Sequence, residues 1–497
     1  PEVESSLGSK MLYPMYVVPV VSFMSMSSAE PHQHLVETGL AREHRGKGDV
    51  AVFISHQWCG ATHADPSFRQ LRVLQGVFRS AARSALPVDV DILSAVTFRT
   101  SATLRAGDWR DIFSWSMWYD YFSVPQPDAE VGGAERETLL AQLDKAVSSL
   151  WLYIEACAHF LILAPTVRHQ NGTVVDYLSW KRRGWCRFER LARILRCSDS
   201  RIFVVSRPGR ILEVGAQDYV FDPVGTGDFG CEADRARLAS IVRCLFADKL
   251  SAMRGTQRMR DYRHMLALRL ALLEGLPSER MTVASPALTR SSRTCRGEVF
   301  LQQLQMVPSE PRSPALLVLA TRAGDTDAMM TLIMSRASLA CVEPRTLPMY
   351  CSGKGQRPIH AAAWHGHIGA VKLLLECRVS ANARNSPCWS SPLHFACSTG
   401  KRPLINMLIQ HRAEIDARQD HGMTALDICI TFRRADGVSA LLDAGATVAT
   451  SDQGLSPLHA AALVSVGEDI VARLLRARAC PHSPYHPRLG SVGKGPR

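Results

Sequence analysis

Two fold classes are predicted in one chain: an α/β domain built on a parallel sheet, followed by an all-α solenoid of repeated helical pairs. Three observations predict this. Over residues 48–250, short apolar runs that read as strands alternate with amphipathic helical patterns. Over residues 314–483, one sequence block returns every 32 to 34 residues. Hydrophobic residues make up 46% and charged residues 21% of the 497, enough for more than one core and unlike wholesale disorder, collagen or a coiled-coil rod.

Residues 1–47 read as an N-terminal extension. Their most apolar stretch, residues 11–26, is broken by Pro14 and Pro19 and is too short to span a bilayer, so no membrane span is expected. Only Lys10 precedes it and no small-residue cleavage site follows, so it is also a poor signal peptide. The chain begins at Pro1 rather than methionine, and its start is not read as a native N-terminus.

The α/β domain, residues 48–250, opens with a buried strand at residues 50–55 and an amphipathic helix at 68–82, with Leu71, Leu74 and Phe78 in register. An aromatic strand follows at 115–122. Leu139, Leu143, Ala146, Val147, Leu150 and Ile154 form one helical stripe. Residues 159–164 (HFLILA) and 202–205 are further strands, and 185–195 and 236–250 are helices. Such alternation predicts a parallel sheet covered on both faces, with ligands at the carboxyl ends of the strands. The residues at those ends are Ser55, His56, Gln57 and Trp58, then Asp120 to Gln126, then Pro165 and Thr166. Neither GxGxxG nor GxxxxGK[ST] follows a strand, which counts against a dinucleotide-binding dehydrogenase or a P-loop kinase.

Phe53-Ile54-Ser55-His56, Trp118-Tyr119-Asp120, Ala146-Val147-Ser148-Ser149, Phe160-Leu161-Ile162-Leu163 and Gly184-Trp185-Cys186-Arg187-Phe188-Glu189 occur in that order. This succession resembles the TIR-domain family. The resemblance implies a flavodoxin-like parallel sheet, and NAD as a possible substrate, because the family includes NAD-cleaving enzymes whose glutamate lies in the block matched by Glu189. It also implies that Glu189 stabilises the cationic ribose as the nicotinamide bond breaks. Trp58 or Trp185 would stack on a ring, with Ser55, His56 and Asp120 lining the mouth. The plain alternative for Glu189 is a surface carboxylate paired with Arg182, Arg187 or Arg193. Seven tryptophans between 58 and 185 are expected to be mostly core. A Cys59 nucleophile with His56, or a Ser55 hydrolase triad, lacks any supporting motif such as GxSxG.

Residues 251–313 read as a helix and a flexible linker rich in Ser, Arg, Pro and Thr. After it, Pro358-Ile359-His360-Ala361-Ala362 returns as Pro392-Leu393-His394-Phe395-Ala396, as Ala425-Leu426-Asp427-Ile428-Cys429 and as Pro457-Leu458-His459-Ala460-Ala461. Ser391 and Ser456 supply N-cap hydroxyls before a proline at the first helical position. Gly366 and Gly400 fall where the first helix must end in a left-handed residue. These blocks resemble the ankyrin repeat. About five units are expected, the first from a weaker block at 316–333, with Arg357 in place of a capping threonine and Arg433 in place of a turn glycine. The resemblance implies a concave surface that binds other proteins. His360, His394 and His459 sit about 33 residues apart on separate helices and are not expected to bind metal. Residues 484–497 read as a disordered tail.

The net charge of +12 comes chiefly from scattered arginines; nine residues are lysine. No zinc-finger, helix-turn-helix or RNA-recognition signature accompanies them, so nucleic acid is not the expected partner. Fourteen cysteines without a CxxC pair fit reduced thiols and a cytoplasmic location. Two readings follow: a protein-binding adaptor in intracellular signalling whose α/β domain self-associates or docks, with no cofactor required, or an NAD-cleaving signalling enzyme whose array selects the target.

Overall fold

The computed structural model describes residues 10–46, 48–83, 86–90, 109–127, 132–197, 201–214, 222–255, 259–277, 315–334, 337–341, 356–386, 388–419, 422–448, 456–464 and 466–479. Among them, residues 10–255 and 272–277 form one compact unit, and residues 259–271 with those from 315 onward form a second. The expected linker beyond residue 277 and the tail at 484–497 lie outside the described residues.

The first unit is built on an eight-stranded sheet. Its strands are β1 (Tyr16–Pro19), β2 (Arg42–Glu43), β3 (Ala51–His56), β4 (Val88–Val90), β5 (Ser116–Trp118), β6 (His159–Leu163), β9 (Ile202–Arg207) and β10 (Arg210–Val214). They lie in the order β2-β1-β5-β3-β6-β9-β10-β4, while β7 (Val167–Arg168) and β8 (Val174–Val175) form a separate hairpin. The four central strands β5, β3, β6 and β9 are mutually parallel. Taken in chain order they are arranged 2-1-3-4, so the chain reverses its winding direction beside β3, where a crevice opens in sheets of this kind.

Both faces are covered, for a reason visible in the strand alternation. Val52 and Ile54 join Leu71, Leu74 and Phe78 of the Arg69–Ala82 helix in one core. Phe53 points to the other face and stacks between Trp118 at 4.4 Å and Phe160 at 5.3 Å, its register neighbours on β5 and β6. The Leu150–Ala156 and Gly184–Arg196 helices pack against β3.

The structure corrects several expectations. The sheet is mixed, not parallel throughout. β1 runs antiparallel to β5, so the supposed N-terminal extension supplies sheet strands. At the other side β10 doubles back on β9 through Pro208 and Gly209, the latter at φ 76°. The aromatic strand at 115–122 ends at Trp118, and Asp120–Ser123 is a helical turn. There the Asp120 carboxylate accepts the Tyr121 N–H and the Ser123 hydroxyl accepts the Tyr119 N–H, which closes the chain locally. The single helical stripe over 139–154 divides into Gly133–Ser148 and Leu150–Ala156. Ser149 at the break turns its hydroxyl back to the Lys145 carbonyl and accepts the Leu12 N–H.

Among its described residues the second unit contains five helical pairs: Ala315–Ala323 with Thr326–Met334, Pro358–Trp364 with Ile368–Glu376, Pro392–Thr399 with Arg402–Gln410, Ala425–Thr431 with Ala435–Asp443, and Pro457–Leu463 with Glu468–Arg476. The Met259–Ala267 helix packs against the first of these. Gly366 and Gly400 adopt the expected left-handed conformation, each at φ 69°. Arg433 takes the same role at φ 57°, at the steric cost a Cβ brings.

A second left-handed position, at the end of the second helix in the last four pairs, is occupied by Arg378, Arg412, Gly445 and Arg478, at φ 60°, 63°, 86° and 64°. All three arginines are exposed. Arg412→Gly is therefore expected to stabilise the array by roughly 0.5–1 kcal/mol, because glycine adopts this conformation without the Cβ clash. Urea denaturation followed by circular dichroism checks it; a loss of stability would show that the arginine side chain makes a compensating contact.

Candidate functional site

The carboxyl ends of β3 and β5 converge with the start of the Gly184–Arg196 helix. A cleft of about 260 Å³ opens there, lined on its polar side by His56, Asp120, Arg183 and Glu189 and on its apolar side by residues including Trp118, Leu143, Val147 and Leu150. Trp58, Trp185 and Cys186 complete its rim. The volume is just under the ~300–1,000 Å³ usual for ligand pockets.

Asp120 is held as an anion. Its Oδ1 lies 2.6 Å from His56 Nε2 and accepts the Tyr121 N–H at 2.6 Å; its Oδ2 accepts Trp58 Nε1–H at 2.7 Å. Burial alone would raise its pKa, but the His56 imidazole and these hydrogen bonds outweigh it and hold the carboxyl below the ordinary carboxylate value. A third of its side chain remains exposed, at 33%. His56 is fixed by stacking on Tyr119 at 4.0 Å, and its Nδ1 is buried with no hydrogen-bond partner among the described residues.

Glu189 is in the opposite condition. One hydroxyl, Ser55 Oγ, donates to its Oε2 at 2.5 Å, and Trp180 Nε1–H donates to the same hydroxyl oxygen at 3.0 Å. Burial pushes the Glu189 carboxyl up to about 8, with Asp120 adding to the rise while Ser55 and Arg183 oppose it. The two carboxyls of one cleft are thus driven apart in proton affinity.

The plain alternative for Glu189 does not describe it. Arg187 reaches the Lys181 and Pro223 carbonyls, and Arg193 is buried against the Cys157 and Ala158 carbonyls. Of the six residues singled out from sequence, His56, Trp58, Asp120, Trp185 and Glu189 share the cleft. Ser55 does not line it: 1% exposed, it lies behind Glu189. Trp185 is anchored by its Nε1–H to Asp234 at 3.0 Å. Of the seven tryptophans over 58–185, five are buried core and the two at the rim, Trp58 and Trp185, are only partly covered. Cys59 is no nucleophile candidate: burial raises its thiol to about 11.

A larger hollow, of about 990 Å³, opens at the amino ends of the strands. Its charged lining is largely spoken for, with Asp49 paired to Arg42 and Glu155 to Arg196.

In the repeat unit, the sequence reading missed Trp389. It is 59% exposed, at φ 57°, at the tip of the loop between two repeats. Hydrogen bonds tie it to its described neighbours: the Trp389 N–H donates to the Asn385 carbonyl at 3.1 Å, Ser390 N–H to Asn385 Oδ1 at 2.6 Å, and Arg384 Nη1 to the Trp389 carbonyl at 3.1 Å. A large apolar side chain presented to solvent on strained backbone costs folding free energy twice, which marks the position as one serving something other than the fold. The sequence signal was a lone tryptophan where a polar turn residue is expected. The repeat histidines face backbone, as His360 Nε2 does the Ala383 carbonyl at 2.9 Å, and no group able to hold a metal occurs among the described residues.

Comparison with known proteins places the repeats. Residues 359–452 match the family of ankyrin repeats in three copies. The chain is 31% identical over 110 residues to transient receptor potential cation channel subfamily A member 1 of Homo sapiens, covering 22% of this chain and 10% of that protein. It is 32% identical over 136 residues to neurogenic locus notch homolog protein 2 of Homo sapiens, covering 27% and 5%, and 31% identical over 110 residues to rabankyrin-5 of Mus musculus, covering 22% and 9%. The chain thus spans a tenth or less of the length of these relatives. It carries ankyrin repeats, a protein-interaction module.

Proposed function

We propose that the chain is an intracellular signalling adaptor that grips another protein through its ankyrin array. The observation that carries this is Trp389: an exposed aromatic at a left-handed position, hydrogen-bonded to its neighbours within a stacked repeat array. Aromatic anchors of this kind supply much of the binding energy of an interface. A cytoplasmic location accords with eleven free cysteines among the described residues and with no described helix being long and apolar enough to cross a membrane. The α/β unit would serve as a second docking or self-association module.

Trp389→Gly tests the array's role. The substitution relieves the left-handed strain, so thermal stability is expected to rise slightly, while affinity for the captured and purified partner falls by about tenfold or more. Unchanged affinity in calorimetric titration would remove Trp389 from the interface. A fall in both stability and affinity would point to damaged folding instead.

The cleft favours a second reading, in which the α/β unit takes a nicotinamide dinucleotide and Glu189 attends cleavage of its N-glycosidic bond. In support are the 2-1-3-4 order of the parallel strands, the cleft beside the winding reversal, and Asp120 and Glu189 on its wall with Trp58 and Trp185 at its rim. Nicotinamide release from NAD by the full chain, compared with Glu189→Ala, tests it; equal background release from both would end it.

A further inference from the structure

We propose that the cleft of the α/β unit hydrolyses purine N-ribosides, with Glu189 giving its proton to the departing base and Asp120 facing the ribosyl cation. The proposal rests on the cleft being a ligand site, and departs from the dinucleotide reading in substrate and in the division of labour between the carboxyls.

The division follows from hydrogen-bond inventory. Three N–H donors converge on Asp120, from His56, Trp58 and the Tyr121 backbone, and such a set favours an anion. Glu189 receives one hydroxyl, shares the cleft with the apolar side chains of Leu143, Val147 and Leu150, and has no cation within ion-pair distance among the described residues. It carries a proton to higher pH, and burial places its titration near 8. The charged and titratable groups around it are Asp120 from the turn after β5, Arg183 at the helix start, Cys186 one turn back on its own helix and His56 at the end of β3. The Gly133–Ser148 helix contributes only apolar residues to this cleft. An ionised and a protonated carboxyl lining one cleft are the pair of groups that glycosidic cleavage uses.

Size and lining choose the substrate. A volume of about 260 Å³ accommodates one base and one ribose, and indole and aliphatic lining suits a flat base. A purine leaving from a neutral riboside needs a proton on nitrogen. Nicotinamide leaves NAD already neutral and needs none, so a proton-bearing Glu189 is useful to the former and idle for the latter.

In the reaction, the C1′–N bond breaks and its electron pair departs with the base, which takes the Glu189 proton. The ribosyl cation forms beside the Asp120 carboxylate. Water then adds to C1′ and returns one proton to Glu189. The products are free purine and ribose, with nothing oxidised or reduced. His56 and Trp58 are positioning residues that fix the Asp120 carboxylate.

The test incubates the full chain separately with inosine, adenosine and NAD, and measures base release by chromatography across pH 5–10. Purine release is expected to be level below pH 8 and to fall tenfold per pH unit above it. Glu189→Gln, which keeps the shape and can still accept from Ser55, is expected to lower release about 10²–10⁴-fold and abolish that alkaline fall. Asp120→Asn is expected to lower kcat with little change in KM. His56→Gln is expected to lower kcat less than Asp120→Asn does, because the amide still donates. Circular dichroism melting confirms that each variant is folded; if Glu189→Gln is not, Asp120→Asn and the pH profile of the unaltered chain decide. Release from NAD alone, insensitive to pH near 8, would overturn this proposal and leave the dinucleotide reading. No release from any of the three would overturn both and leave the adaptor.

Discussion

Gly184→Ala is expected to cost the α/β unit about 3 kcal/mol, the upper end of what overpacking a filled site brings. The reason lies far along the chain. A Cβ on Gly184 would clash with three carbons at the far end of the Phe229 ring, and the Arg235 guanidinium lies over that ring at 4.8 Å. The backbone is equally tight. A Cβ on Gly227 would come within 2.6 Å of Gly184 Cα, and the two segments are tied by Gly184 N–H to the Asp228 carbonyl at 2.8 Å and Asp228 N–H to the Arg182 carbonyl at 2.6 Å. Neither backbone can retreat without breaking these bonds. Because Glu189 lies on the helix that Gly184 starts, the same substitution is expected to loosen its hydrogen bond to Ser55. Urea denaturation of the variant measures the cost, and Phe229→Leu in the same chain is expected to restore part of it, since removing the ring leaves room for the methyl. A change below about 0.5 kcal/mol in Gly184→Ala, or no rescue, would show that the loop gives way freely.

The glycine also shows where the sequence could be read and where it could not. The strands β3, β6 and β9 were legible because each carries an apolar run of four residues, the pattern of a strand buried on both faces. The repeats were legible because capping, proline placement and small residues recur at one period. Gly184 stood in plain sight in the Gly184–Glu189 block, yet its reason is a contact with Phe229, 45 residues onward, and nothing local signals it. β1 was missed for a similar reason: four residues that include Pro19 become a strand only because β5 offers an open edge. Ser55 and His56 were expected to line the cleft together. Adjacent strand residues point to opposite faces, so Ser55 went behind Glu189 while His56 reached Asp120. The difference in proton affinity between Asp120 and Glu189 depends on which donors arrive from four separate segments, and no spacing encodes that.

Asp427→Asn is expected to stabilise the repeat array by on the order of 2 kcal/mol at pH 7 and by almost nothing at pH 4. The corresponding residue in the neighbouring units is a histidine that works at both ends. His394 Nδ1 accepts the Ser391 N–H at 3.2 Å, and its Nε2 lies 3.3 Å from the Met423 carbonyl in the next loop. Burial pushes His360 and His394 down to about 4, so they are neutral there and suit a buried site. Asp427 supplies only the first function: its Oδ2 accepts the Thr424 N–H at 2.8 Å and the Thr424 hydroxyl at 3.0 Å. It is 4% exposed, and burial raises it to about 6, with the Thr424 bonds and Arg418 opposing. The sign follows from the proton count. Below the unfolded value near 3.8 both states are protonated and the group costs nothing. Between there and about 6 the unfolded chain gives up its proton while the folded chain keeps it, so stability falls as pH rises and then levels off above 6. Asparagine presents the same accepting oxygen without a charge to bury, so the gain appears only where the aspartate would ionise. The two histidines titrate alike in both proteins and cancel from the difference. Urea denaturation of both proteins at pH 4 and pH 7 gives the comparison. An equal gain at the two pH values would mean that packing, not charge, sets the effect; a loss at pH 7 would mean that Arg418 stabilises the carboxylate more than burial opposes it.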